Sequence, residues 1–162
     1  MSGINGLTVS FRAQANLRIA KFTVLVKDTA DTTQNQQYAG LPSVVNAPGV
    51  LGVTIDHFVE PNYFVPQGTN PATVTGTTPL LYNLTGRAIA VQVNGIARCY
   101  AGGVVNQGDQ LVVADVYGRV NNLANLNIAA GTKIYPVGIA QSSTQNANDV
   151  VEVLLNFAPA HA

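Results

Sequence analysis

Apolar and polar residues alternate along most of this chain with a period of two, the spacing that sends successive side chains to opposite faces of a strand. "LTVSFRA" (7–13) and "LRIAKFTVLV" (17–26) read as strands, the second also fitting a short helix. "KDTADTTQNQQYAG" (27–40) is a polar loop with little to bury, and "GVLGVTIDHFV" (49–59) is strand-like again. "EPNYFVPQGTNPATVTGTTP" (60–79) carries four prolines, which removes ladder donors and predicts irregular or edge structure.

Beyond residue 86 the alternation is regular. "RAIAVQVNGIARCYA" (87–101) places Ile89, Val91 and Val93 on one face. "QLVVAD" (110–115), "GRVNNL" (118–123), "KIYPVGIAQ" (133–141) and "DVVEVLLNF" (149–157) follow with turn signals between them. "NNLANLNIAAG" (121–131) fits at most one helical turn, and no segment sustains a capped helical period. The pattern predicts an all-β protein, a compact β-barrel or β-sandwich. Its expected organisation is an N-terminal arm over 1–16, one β domain over 17–157 with a loop insertion at about 60–85, and a flexible tail over 158–162.

The most polar part of this grammar is "GGVVNQGDQLVVADVYGRVNN" (102–122). "NQGD" (106–109) is turn chemistry, because Gly108 takes positive φ cheaply. "DVYG" (115–118) predicts a type I turn with Gly118 left-handed and Asp115 capping the backbone through its carboxylate. Asp109 and Asp115 thus have structural roles that require no ligand. A calcium loop needs several closely spaced oxygen ligands, and these two aspartates stand apart across "QLVVA". Asn94 and Gly95 give the strongest two-residue hairpin signal in the chain.

Composition narrows the function classes. Charged residues make up 10% of the 162-residue chain, and the formal net charge is zero. Lysines and arginines are scattered, so nothing forms the basic footprint that nucleic acid requires. No apolar run approaches the ~20 residues of a membrane-spanning helix, and "MSGINGLTVSFRAQANLR" lacks the pattern of a secretory signal. A charge-poor surface repels its own copies weakly, which favours assembly.

Candidate chemistry is sparse. "IDHFVE" (55–60) brings Asp56, His57 and Glu60 together in sequence, but strand alternation separates Asp56 from His57. The other histidine, His161, stands near the C-terminus, and Cys99 is the sole cysteine, expected to be a buried, inert thiol. No G-x-S-x-G or phosphate-cradling glycine loop occurs. No catalytic residue, cofactor or metal is therefore expected. Tyr63 and Phe64, set between Pro61 and Pro66, are large apolar side chains in an irregular segment; either they fold onto the core or they anchor in a partner. Leu7 and Phe11 are further candidate interface residues.

The order of turn motifs from residue 87 onward resembles that of bacteriophage capsid decoration proteins, also called head cement proteins. The matching positions are Gly95, Gly108, Asp109, Leu111, Asp115, Gly118, Arg119, Val120, Gly138 and Ala140, with "GVLGVT" (49–54) resembling an earlier glycine-marked strand. The resemblance implies a non-enzymatic virion protein that binds the outer face of the capsid and clamps neighbouring major capsid protein subunits. It also implies self-association, as a trimer or a dimer, assembly in the host cytoplasm, and a glycine kink or bulge at a barrel corner for Gly95 in place of a hairpin. A tail or baseplate β-module and a carbohydrate-binding β-sandwich are the alternatives; the lack of tryptophan and the dispersed tyrosines disfavour the glycan binder.

Overall fold

The computed structural model describes residues 6–14, 19–28, 38–56 and 86–161. The protein is all-β, with no helix among the described residues. Five strands close the first layer into a barrel: β1 (Thr8–Ala13), β2 (Val24–Lys27), β3 (Tyr38–Gly40), β4 (Val50–Thr54) and β5 (Ala88–Gln92), in the order β1-β3-β2-β4-β5. Closure comes from β1 against β5, antiparallel from Thr8 opposite Gln92 to Arg12 opposite Ala88. The β1–β3 pairing is parallel, with Arg12 opposite Tyr38. Inward side chains of alternate residues fill the barrel: Phe11, Ala13, Ile89 and Val91 with Ile19, Leu25 and Ala39.

The chain then leaves the barrel for a second sheet. Its strands are β6 (Ile96–Tyr100), β7 (Gln110–Val113), β8 (Val120–Asn122), β10 (Pro136–Ala140) and β11 (Val150–Leu155), in the order β6-β11-β10-β7-β8 with all neighbours antiparallel. A two-stranded ribbon pairs β9 (Lys133–Ile134) with β12 (Ala160–His161). Ala97, Cys99, Leu111, Val113, Val137, Val151 and Val153 form the covered face of this sheet. Val24 and Val53 of the barrel pack into the same cluster, so the two layers share one core.

Several sequence expectations change here. Residues 8–13, read as a strand from sequence but grouped with an arm over 1–16, are the barrel strand β1, and Phe11 lies in the barrel core at 7% exposure instead of on an interface. The reason is register: a position opposite Ile89 faces inward along with it. Of the run 17–26, the described residues 19–26 are a strand only from Val24 onward. Phe22 breaks it with φ +64, unusual for an aromatic residue. Its N–H donates to Thr54 C=O at 2.7 Å, its C=O accepts from Tyr100 N–H at 3.2 Å, and its ring tilts against Tyr100 with centroids 5.8 Å apart. The end of the polar run 27–40 is strand β3, and His161, placed in a tail by sequence, stands in β12 opposite Lys133.

Asn94 and Gly95 join β5 to β6, which lie in different sheets and do not pair with each other. The dipeptide is therefore a corner between layers, with Gly95 at φ +83 and its C=O accepting from Leu155 N–H at 3.0 Å.

Candidate interaction surface

The polar residues of 102–122 act on their own backbone. Asp115 Oδ1 accepts from Tyr117 N–H at 2.9 Å and Oδ2 from Arg119 Nε at 2.6 Å. Ala114 N–H donates to Arg119 C=O at 2.8 Å across the turn, and Gly118 sits left-handed at φ +73. Asp109 Oδ2 accepts from Asn106 N–H at 2.9 Å and from Asn122 Nδ2 at 2.8 Å, tying the 106–109 turn to β8. Both carboxylates are thus engaged by turn donors.

The remaining sequence candidates separate in space. Asp56 is exposed just past β4, and His57 and Glu60 lie outside the described residues. Among the described residues, no three His, Cys, Asp or Glu side chains come together. Cys99 is fully buried, and desolvation pushes its thiol far above the ordinary value of 9.0. Burial also raises the Tyr100 phenol. Leu7 is 61% exposed where the chain enters β1, and its C=O accepts from Val93 N–H at 2.8 Å. Tyr63 and Phe64 lie outside the described residues.

The surface feature that sequence reasoning missed is the outer face of the second sheet. Ile96 stands opposite Leu154, and Leu154 opposite Ile139, so three exposed aliphatic side chains form a row across β6, β11 and β10. Beside this row, Arg98 Nε lies 3.8 Å from Glu152 Oε1, both side chains about half exposed, and Val150 stands opposite Tyr100. The signal was present in "VVEVLL", which is apolar on both parities: Val151 and Val153 turn inward while Val150 and Leu154 face out. A strand polar on one face needs no such pattern.

Next to that face, a groove of about 230 Å³ separates the free edge of β6 from the end of β4. Arg98 lines one side, Val53, Thr54 and Ile55 the other, and Gly6, Thr8, Phe22 and Gln92 complete it. Gln92 is itself buried, and its Nε2 donates to Asn94 C=O and Ile96 C=O, both at 2.9 Å. Thr54 Oγ1 donates to Ala20 C=O at 2.5 Å and accepts from Thr23 N–H at 3.0 Å. Two of the lining side chains, Gln92 and Thr54, are therefore held by internal hydrogen bonds.

No protein-family model matches the sequence, and no curated protein does. Among solved structures, the fold is similar to that of the head fiber gp8.5 N base of bacteriophage phi29, with a TM-score of 0.52 and 14% sequence identity. The likeness covers 93% of this chain and 95% of that one.

Proposed function

We propose that this chain is a non-enzymatic structural protein of a bacteriophage head that binds the outer surface of the capsid and stabilises contacts between major capsid protein subunits. The observation that carries the reading is the likeness, over nearly the full length of both chains, to a head fiber base. Two further features support it. The acidic turn residues are engaged by backbone, arginine and asparagine donors, and the exposed sheet face carries the aliphatic row Ile96, Leu154 and Ile139.

On this reading the partner is the major capsid protein, with self-association into a trimer or dimer, and the chain resides on the capsid exterior. A shell offers the same site many times, so a modest interface per copy, multiplied by self-association, gives tight retention. The test is the stability of heads assembled with and without the chain. Bound chain should raise the temperature at which heads release their DNA, and sedimentation of the free chain should give an oligomer. Equal release temperatures at full occupancy would remove the stabilising role.

A further inference from the structure

We infer that the free edge of β6 accepts an extended segment of a partner polypeptide as an added strand, centred on the backbone of Arg98. This deepens the proposed function by naming the mode of contact, and the partner is a capsid subunit.

The ladder between β6 and β11 fixes which groups are free. Leu155 N–H donates to Gly95 C=O and Ala101 N–H to Asp149 C=O, so the odd positions of β6 bond to β11. Ile96, Arg98 and Tyr100 consequently turn their backbone groups away from the sheet. Ile96 C=O is taken by Gln92 Nε2, and Tyr100 N–H by Phe22 C=O. Between these two capped positions, the N–H and C=O of Arg98 have no hydrogen-bond partner among the described residues. They sit beside the groove that Arg98 lines.

The sheet's other edge differs. Val120 C=O accepts from Gly102 N–H at 2.8 Å, and Asn122 N–H donates to Asn121 Oδ1 at 2.9 Å, so each outward residue of β8 has one backbone group already bonded. An N–H and C=O on one edge residue that are unpaired among the described residues match a single residue of an antiparallel strand, which exchanges both bonds with it. The groove sets the chemistry of that strand. Its lining carries one charged side chain, Arg98, half exposed and only partly neutralised by Glu152 at 3.8 Å. The rest is aliphatic, aromatic, hydroxyl or amide. An uncharged or acidic extended segment is complementary to it, and a basic one is not.

The test separates backbone from side chain. Proline is tolerated on an edge strand where its missing N–H would have pointed outward. R98P therefore keeps the bonds that Ala97 and Cys99 make to β11 while deleting the free donor, and R98A removes the side chain alone. Binding of both variants and the unsubstituted chain to heads assembled without it is measured by co-sedimentation. R98P is expected to bind about tenfold or more weakly, with R98A within about threefold of the unsubstituted chain. Hydrogen–deuterium exchange of the peptide spanning 96–100 in the unsubstituted chain gives a reading independent of any variant's folding. It should slow on binding. Head binding with unchanged exchange, or with R98P binding as well as R98A, overturns the inference while leaving the proposed function intact. Failure of the unsubstituted chain to bind removes both.

Discussion

At the level of single residues, two left-handed glycines differ in what surrounds them. Gly118 has φ +73, and a Cβ there would lie 2.5 Å from both Thr23 Cγ2 and Val24 C=O. Gly118→Ala combines left-handed strain with a clash against β2, and should cost about 2–4 kcal/mol in a urea unfolding series. Gly108 is also left-handed, at φ +90, but has nothing within 4 Å of the same position. Gly108→Ala should cost only about 1 kcal/mol, so the pair separates strain from crowding. Cys99 gives a pH signature. Burial holds its thiol neutral well above 9.0, so the folded chain keeps a proton that the unfolded chain releases. That contribution is complete below pH 9.0 and is lost as pH rises toward the folded value. Cys99→Ala should therefore flatten the alkaline fall of stability by up to about 1.4 kcal/mol per pH unit, read from urea midpoints between neutral pH and about pH 10.

At the level of elements, β11 has two apolar faces with different roles. Val153 is fully buried between the layers, whereas Leu154 is 45% exposed on the outer face. Val153→Ala should destabilise by about 1–3 kcal/mol, and Leu154→Ala by less than about 1 kcal/mol, as measured by thermal unfolding. The Asp115 turn makes a further prediction. Its carboxylate holds Tyr117 N–H and Arg119 Nε in a partly buried site, so Asp115→Ala should cost about 1–3 kcal/mol. How much of this was legible follows from the range of the interactions. The inward set Ile89 and Val91, and the turns at 106–109 and 115–118, are local in sequence and readable from it. The strand β3, three residues at the end of a polar run, exists because β1 and β2 flank it, and no local pattern marks that. Phe22 is left-handed because Thr54 and Tyr100 hold its backbone, against its own preference.

For the whole molecule, the decisive arrangement is a closed barrel sharing a core with an open sheet. Among the described residues, closure leaves the barrel without a free edge, while the open sheet ends at β6 and exposes one outer face. The groove beside Arg98 is built from the end of β4, the entry to β1 and the edge of β6, segments separated by long stretches of sequence. No reading of local alternation brings these together. The most direct measurement of the central claim is co-sedimentation of the purified chain with bacteriophage heads assembled without it. The account predicts saturable retention in the head fraction, in fixed ratio to the major capsid protein, with added density on the outer surface of the shell. A chain that stays in the supernatant at every concentration, or density found only inside the shell, would contradict it.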